Sequence, residues 1–208
     1  MTLYVPDHFA APDRDAILEL IATRSFATLI SIADGEPVVT HLPLVLAQDG
    51  TLLGHVARAN PHAALLGEGT RTTAIFHGPH AYVSPTWYEA PNVPTWNYTA
   101  VHITAKVHPL EGEAAQSLLD QLIDTFDPDP LGETGTRHLR ADERVGLLPH
   151  IHCFALEIEK VDAKFKLSQN RSPADRQRVI GALGQQDDAE AQAVAGLMLG
   201  MLTQAQTR

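Results

Sequence analysis

The sequence predicts an α+β protein, in which an antiparallel β-barrel of six or more strands carries peripheral helices. Two Asp-Gly pairs, at 34–35 and 49–50, each separate two apolar runs, which is the pattern of a tight β-hairpin. Helical spacing is concentrated toward the ends of the chain and does not alternate with every strand. These two observations favour hairpin-connected strands over a parallel βαβ sheet, and closure into a barrel would leave no exposed strand edge.

Hydrophobic periodicity assigns the elements in order. The first three strands, joined by the two hairpins, are expected to form an antiparallel meander. Residues 78–95 are rich in proline and are predicted to be a structured loop, and 127–146 are polar and poorly patterned. The predicted strands cover 25–33, 37–47, 51–57, 72–77, 96–107 and 152–161, and the predicted helices cover 12–24, 61–66, 114–126, 173–183 and 189–202.

Composition bounds the class of protein. The chain has 208 residues, of which 44% are hydrophobic, so it can bury a sizeable core. We expect a barrel domain over 1–170 and a C-terminal helical pair over 171–208, packed on the barrel or at a dimer interface. The single cysteine, Cys153, the absence of an apolar run of about 18 residues and the lack of a signal-peptide pattern predict a cytoplasmic protein without membrane contact. The net charge of -10 argues against broad nucleic-acid binding.

The segment 164–171 is basic on this acidic background. It holds three cations, Lys164, Lys166 and Arg171, together with two amide side chains and a hydroxyl. Charged donors at this density suit a phosphate or another anion. The alternative interpretation is a solvated basic turn that opens the next helix, for which Ser172 is a good N-cap. That capping role leaves the three cations unexplained.

A second candidate anion site lies at 55–62, where a predicted strand runs directly into a short helix. Arg58, Asn60 and His62 lie at this junction. The chain contains neither a Gly-x-Gly-x-x-Gly motif nor a Walker loop, which disfavours a dinucleotide-binding Rossmann site and a nucleotide hydrolase. A phosphate site would therefore be built from side chains at strand ends.

Five aromatic residues with polar edges fall within seventeen positions, and they suit a planar ring ligand. The alternative is a loop that its aromatic side chains anchor to the barrel. A planar ring and a phosphate together indicate flavin mononucleotide (FMN). The eleven histidines show no metal-binding spacing, no catalytic triad is visible, and Cys153 is expected to be packed. The five aromatic residues are Tyr82, Trp87, Tyr88, Trp96 and Tyr98.

Six ordered motifs, running from the N-terminus to about residue 184, resemble the PaiB family of FMN-binding negative transcriptional regulators. This resemblance implies an FMN-binding split barrel, a homodimer and a flavin in the cleft between the subunits. The motifs are Tyr4-Val5-Pro6-x-His8-Phe9, Thr40-His41-Leu42-Pro43, Gly54-His55-x-Ala57-Arg58-Ala59-Asn60-Pro61, Gly78-Pro79-His80-Ala81-Tyr82-Val83-Ser84-Pro85, Val93-Pro94-Thr95-Trp96-Asn97-Tyr98 and Lys164-Phe165-Lys166-Leu167-Ser168-Gln169-Asn170-Arg171.

The resemblance also implies a set of cofactor-binding residues. The strand at 40–43 would line the edge of the isoalloxazine ring, Arg58 and Asn60 would approach the phosphate, and the segment at 166–169 would close the site, from the same or the other subunit. Asp162-Ala163 stands where a glycine is expected before Lys164, which indicates a different turn there. The implied set is His41, Leu42, Pro43, His55, Arg58, Asn60, Trp96, Asn97, Lys166, Ser168 and Gln169.

The function implied by the resemblance is negative transcriptional regulation, exerted directly or through a partner. The helices at 173–183 and 189–202 could imitate a helix-turn-helix, but no lysine or arginine lies between Asp187 and Thr207, so direct DNA binding is weakly supported. The alternative is a flavin-dependent reductase acting on a small molecule, for which proton donors could come from His41, His80 or Tyr98. A third interpretation is haem handling, with candidate ligands His102, His150 and His152.

Overall fold

A computed structural model of the chain describes residues 3–127 and 145–206, so most of the poorly patterned segment at 127–146 lies outside the described residues. The described part contains seven β-strands and four α-helices and is an α+β fold, as predicted. The strands are β1 (Phe26–Ala33), β2 (Glu36–Pro43), β3 (Val45–Leu46), β4 (Leu52–Ala57), β5 (Arg71–Val83), β6 (Thr95–Leu110) and β7 (Ile151–Lys166), and the helices are α1 (Arg14–Thr23), α2 (Gly112–Phe126), α3 (Pro173–Gly184) and α4 (Ala189–Gln206).

The first hairpin forms as predicted. Strands β1 and β2 pair antiparallel from Ala33 opposite Glu36 to Phe26 opposite Pro43. The two turn residues both have positive φ angles, 52° at Asp34 and 84° at Gly35. This backbone is the tight hairpin turn that Asp-Gly favours, because glycine has no Cβ to oppose it.

The predicted strand at 37–47 is divided in two, and the predicted meander is therefore wrong. The strand order in the sheet is β2-β1-β5-β6-β7-β4-β3, so β2 and β3 lie at opposite edges although only Leu44 separates them in the chain. A sheet whose two edges are joined by one residue has to be rolled, and this gives the predicted barrel. Leu44 is fully buried, and a Cβ on Gly54 would lie 2.5 Å from its Cδ2. Glycine at 54 thus makes room for the residue that joins the edges.

Two strands are longer than predicted. Strand β5 continues to Val83, so the N-terminal part of the predicted 78–95 loop is sheet. Buried residues alternate from Thr72 to Gly78, and the alternation resumes one residue out of step at Ala81. The strand therefore accommodates Pro79 by a slip in its alternation rather than by ending. Strand β7 runs on to Lys166, so the basic segment begins in a strand and not in a turn.

The chain divides into two compact units, and β5, β6 and β7 contribute residues to both. One unit comprises 21–76 and 103–161. Its core includes Leu29, Phe76 and Ile103, and its helix α2 packs through Leu118 against Val45 and Cys153. Cys153 is buried, as predicted, and burial raises the pKa of its thiol.

The other unit comprises 1–20, 77–102 and 162–208. Its core includes Val179 and Leu183 of α3 and Val194 and Met198 of α4. Ser172 caps α3 by accepting a hydrogen bond from the Asp175 amide at 3.1 Å, as the sequence predicts. The predicted division into 1–170 and 171–208 stays a prediction. Within 3–127 and 145–206 no helix is long and apolar enough to cross a membrane.

Candidate functional site

Arg58 and Asn60 lie where β4 leads into a short 3₁₀ helix, Pro61–Leu65. Asn60 caps this helix, since its Oδ1 accepts a hydrogen bond from the amide of His62 at 3.0 Å. Arg58 donates from Nε to the carbonyl of Pro149 at 2.9 Å and from Nη2 to that of Ile151 at 2.8 Å. Arg58 therefore ties β4 to the start of β7, and its Nη1 amino group makes neither of these bonds.

His62 is completely buried at the centre of a polar network in the same unit. Its Nδ1 lies 2.9 Å from the hydroxyl of Thr40, and its Nε2 lies 2.9 Å from the hydroxyl of Ser31. Ser31 donates to Thr72, which donates to the carbonyl of Ile30. Since the Ser31 proton is used in this way, His62 donates from Nε2 and accepts at Nδ1. Burial lowers the pKa of His62, which favours this neutral form.

Thr40 links this network to Asn60. The Nδ2 group of Asn60 donates to the Thr40 hydroxyl at 3.3 Å, and that hydroxyl also meets His62. The orientation of the Asn60 amide is thus fixed from both sides. The sequence places His62 at the strand–helix junction, but the predicted cofactor set does not include it.

The residues of the motif at 40–43 alternate between the two faces of β2. Leu42 is 3% exposed and points into the core. His41 is exposed on the other face, where its ring stacks with that of Phe26 at 6.4 Å and its Nδ1 lies 3.1 Å from the Thr28 hydroxyl. Pro43, opposite Phe26 in the register, shares this outer face.

His55 lies within β4 and is partly buried. Burial lowers the pKa of its imidazole, and its buried Nδ1 has no hydrogen-bond partner among the described residues. Buried ring nitrogens normally have a hydrogen-bond partner, so His55 Nδ1 is an exception among the described residues.

In the other unit, Asn97 and Ser168 form a fully buried pair. Asn97 donates from Nδ2 to the Ser168 hydroxyl at 3.0 Å and to the sulfur of Met198 at 3.3 Å, while the Ser168 hydroxyl lies 3.2 Å from Asn97 Oδ1. Ser168 has a positive φ of 62°, which a non-glycine residue rarely adopts. The Asn97 amide therefore holds a strained turn directly after β7.

Gln169 closes the same turn with backbone contacts. Its Oε1 accepts from the amide of Leu167 at 2.7 Å, and its Nε2 donates to the carbonyl of Phe165. Asn97, Ser168 and Gln169 thus use their polar groups to shape the turn that follows Lys166.

Lys166 reaches from this turn to the start of β6. Its Nζ donates to the Thr95 hydroxyl and to the Trp96 carbonyl, each at 2.5 Å. Burial, followed by the nearby charges of Lys164 and Arg171, lowers the pKa of its ammonium. Lys166 therefore uses two of its three N–H groups to hold the Thr95 side chain and the Trp96 backbone.

Trp96 belongs to a group of exposed rings on the same unit. The Trp96 side chain is 53% exposed and that of Tyr82 is 46% exposed, and their rings meet edge to face at 6.0 Å. The His80 ring lies 6.2 Å from Trp96. We call His80, Tyr82 and Trp96 the aromatic group. An exposed indole beside two further rings provides a surface on which a planar ligand can stack.

The predicted cofactor residues fall into two sets, one in each compact unit. His41, Leu42, Pro43, His55, Arg58 and Asn60 belong to the barrel unit 21–76/103–161, and Trp96, Asn97, Lys166, Ser168 and Gln169 belong to the other. In the second set, direct hydrogen bonds join Lys166 to Trp96 and Asn97 to Ser168. In the first set only Asn60 is bonded into the network described above. Lys164 belongs to the same sequence motif as Lys166 but not to the predicted set.

Two observations concern the metal and haem interpretations of the histidines. Among residues 3–127 and 145–206, no three His, Cys, Asp or Glu side chains are grouped so that they could hold a metal ion. Of the candidate haem ligands, His152 has its Nε2 2.8 Å from the carbonyl of Leu66, so this nitrogen is engaged as a hydrogen-bond donor.

Comparison with solved structures identifies the fold. The FAD- and heme-binding protein from Mycobacterium smegmatis superposes with a TM-score of 0.60 at 21% identity, covering 75% of this chain and 72% of that one. The flavocytochrome Anf3 from Azotobacter vinelandii superposes with a TM-score of 0.61 at 16% identity, covering 78% and 72%. At these identities the likeness shows the fold alone, and it agrees with the predicted split barrel.

Sequence comparison identifies the family. Residues 3–160 match the family described as "Putative FMN-binding domain". The chain is 32% identical over 203 residues to the protease synthase and sporulation protein PAI 2 of Bacillus subtilis (strain 168), covering 94% of this chain and 96% of that protein. The chain therefore belongs to this FMN-binding domain family, as a relative of the PaiB type, which confirms the resemblance that its motifs predicted.

Proposed function

We propose that this protein binds FMN and acts as a negative transcriptional regulator of the PaiB type. The observation that carries the flavin-binding part is the aromatic group, in which Trp96 is exposed while its carbonyl is held by Lys166. Solvent-exposed rings at a fixed backbone suit the isoalloxazine system, and cations close by suit a phosphate. The residues present therefore fit FMN. A bound flavin would supply redox chemistry, and the protein would position it.

The homodimer is supported by the outer face of the β1–β2 hairpin. Three large apolar side chains on it are half exposed or more: Phe26 at 70%, Ile32 at 64% and Val39 at 50%. The residues that share this face, including Thr28, Ile30, Pro37 and Pro43, carry no formal charge. An uncharged apolar face on an edge strand is suited to a second copy of the chain, because a two-fold axis buries the same patch on both copies.

This face also gives His41 a place in the proposal. His41 lies on the outer surface of β2, stacked with Phe26, so a second copy seated on this face would cover it. The resemblance places flavin in the cleft between subunits, and His41 and Pro43 would then border that cleft. The resemblance further implies that Arg58 and Asn60 approach the phosphate and that Ser168 and Gln169 close the site.

The homodimer is tested by sedimentation velocity or light scattering. Val39→Glu places a charge on the outer hairpin face and should shift the protein from dimer to monomer. Val161→Glu is the matched control, since Val161 is 39% exposed on β7 and outside this face. A dimer that persists in Val39→Glu would contradict the assignment of this face.

We propose that the protein regulates transcription through a partner or through the flavin, and not by binding DNA directly. Helix α4 contains neither lysine nor arginine, and Ala191, Val194 and Met198 on it are buried in the core of its own unit. A recognition helix has to present base-reading and phosphate-binding side chains to the major groove. The reduced thiol of buried Cys153 suits the cytoplasm, where such a regulator would act.

The alternative is a flavin-dependent reductase acting on a small molecule. It is favoured by the exposure of the aromatic group, since a ring stacked on Trp96 would keep one face open to a second substrate. His80, which is exposed and 3.7 Å from Glu190, would be the proton donor within this unit.

The deciding experiment is an anaerobic absorbance titration with FMN, followed by NADH and NADPH. Binding without bleaching would support the regulator, and bleaching by a nicotinamide would support the reductase. Trp96→Ala should weaken FMN binding, whereas Trp87→Ala, outside the aromatic group, should not. An unchanged FMN spectrum in the wild-type protein would overturn both.

A further inference from the structure

Lys164 is a buried lysine for which the structure offers no anionic partner. It is 8% exposed, although it carries an ammonium group at the end of a long chain. Within 3–127 and 145–206, no carboxylate forms an ion pair with it and no hydrogen bond to its Nζ is formed. Charged groups are almost never buried in this way unless they are paired, because removal from water is costly.

The neighbours of the Lys164 ammonium are aromatic rings. Its Nζ lies 5.4 Å from the ring centre of Tyr4 and 5.5 Å from that of Tyr98. Tyr4 itself is 75% exposed. Ring faces attract a cation, but more weakly than a hydrogen-bonded anion does, and they leave the N–H donors unused.

Two further cations belong to the same basic segment. Burial, followed by the positive charges of Lys164 and Arg171, lowers the pKa of Lys166, so both cations act electrostatically on Lys166. Lys166 lies 6.0 Å from the ring centre of Phe9, and the Arg171 guanidinium lies 5.0 Å from that of Tyr88. No carboxylate among the described residues forms an ion pair with Lys166 or Arg171 either. We call Lys164, Lys166 and Arg171 the cation cluster.

We infer that the cation cluster is an oxyanion site that takes a phosphoryl group, with the Lys164 ammonium as its principal donor. A bound phosphoryl group would supply the acceptors that the Lys164 N–H groups lack, and it would relieve the mutual repulsion of three cations. Lys166 keeps one N–H free beyond its bonds to Thr95 and Trp96, and this N–H can join.

The inference bears on which residues hold the phosphate of FMN, and to that extent it rests on the proposed function. The resemblance assigns the phosphate to Arg58 and Asn60. However, Arg58 already donates from Nε and Nη2 to the carbonyls of Pro149 and Ile151. The side-chain amide of Asn60 already caps the 3₁₀ helix and donates to Thr40. Arg58 keeps its Nη1 group free of these bonds, but the cation cluster brings three positive charges to one segment instead of one. The phosphoryl group could come from FMN or from a separate phosphorylated ligand.

The test compares FMN, riboflavin and inorganic phosphate as probes. Affinities for the two flavins are measured by fluorescence titration, and stabilisation by phosphate is measured as the shift in Tm. The variants are Lys164→Met and Lys164→Gln, which remove the charge and keep much of the side-chain length. Lys160→Met, four residues earlier on β7, is the matched control for loss of one positive charge.

For a phosphoryl group that belongs to FMN, we expect Lys164→Met to weaken FMN binding by about tenfold to a hundredfold, the usual value of a hydrogen bond to a charged group, with riboflavin binding unchanged. For a separate ligand, the Lys164 variants would lose the phosphate-induced rise in Tm while the preference for FMN over riboflavin stays intact. Either result supports the oxyanion site.

The inference is overturned if folded Lys164 variants match Lys160→Met both in flavin affinity and in the Tm shift with phosphate. Circular dichroism and gel filtration show whether each variant is folded. If Lys164→Met does not fold, the comparison is made with Lys164→Gln. If the proposed function is wrong, the result is different: the wild-type protein binds neither flavin. The dependence on Lys164 of the phosphate-induced rise in Tm can still be measured in that case.

Discussion

Replacing Gly78 by alanine should destabilise the protein strongly, because the backbone of β5 leaves no room for a side chain at this point. A Cβ on residue 78 would lie 1.9 Å from Thr99 Oγ1, 3.1 Å from Thr99 Cβ and 2.9 Å from Leu20 Cδ1. Thr99 is 1% exposed and Leu20 is 6% exposed, so neither can move into solvent without opening the core. Real Cβ atoms do not approach other atoms at 1.9 Å, and part of the structure has to shift.

The size of the effect follows from two opposing terms. Overpacking a well-packed core usually costs about 1–3 kcal/mol, and a clash this short places Gly78→Ala at the upper end. Alanine also reduces the conformational freedom of the unfolded chain, which stabilises the folded state by about 0.4–1 kcal/mol. We therefore expect a net loss of about 2 kcal/mol in the free energy of unfolding.

Urea denaturation followed by circular dichroism measures this loss, and two further variants interpret it. Gly181→Ala, in α3, where a Cβ would have no other atom within 4 Å, should stabilise the protein by about 0.5–1 kcal/mol. Thr99→Ala removes the oxygen of the closest contact, so the double variant Gly78→Ala/Thr99→Ala should recover part of the loss. A Gly78→Ala protein as stable as the wild type, or one that Thr99→Ala fails to stabilise, would show that β5 has room for a Cβ at residue 78.

Two other predictions concern buried polar groups. Asn97→Ala should cost about 2–4 kcal/mol, because it removes hydrogen bonds and leaves the Ser168 hydroxyl buried and unpaired. In a double-mutant cycle with Ser168→Ala, the double variant should lose less stability than the sum of the two single losses. Asn170→Ala, at an exposed position, is the control. Additive losses would contradict the pairing. Because burial lowers the pKa of His62 below its ordinary 6.5, the unfolded chain binds the proton first as pH falls, and the free energy of unfolding should decrease below pH 6.5. His62→Asn should flatten this pH dependence, and an unchanged slope would argue against it.

Much of the fold could be predicted from the sequence because the determining signals are local. The Asp34-Gly35 turn specifies its hairpin without help from the rest of the chain. The division of the second strand at Leu44 could not be predicted, since it depends on the two sheet edges meeting and on the space left by Gly54. Pro79 leads to a wrong prediction for the opposite reason. As a local signal it predicts that the strand ends, but β5 continues through it to Val83.

The motifs of the candidate site are visible in the sequence, but the hydrogen bonds between them are not. The motif around Asn97 and the motif around Ser168 are both visible in the sequence, but their direct pairing joins residues far apart in the chain and only the structure shows it. Lys164 is part of a visible motif, yet its burial and its unused donors have no signature in the sequence. Solvent exposure and hydrogen-bond satisfaction are properties of the folded chain, and these two properties separate a binding group from a structural one.

Flavin binding on the aromatic group can be measured by titrating the purified protein with FMN. We expect saturable binding with a changed flavin spectrum, weakened in Trp96→Ala and retained in Trp87→Ala. A flavin spectrum that stays the same in the presence of the wild-type protein, or equal binding by the two tryptophan variants, would contradict it.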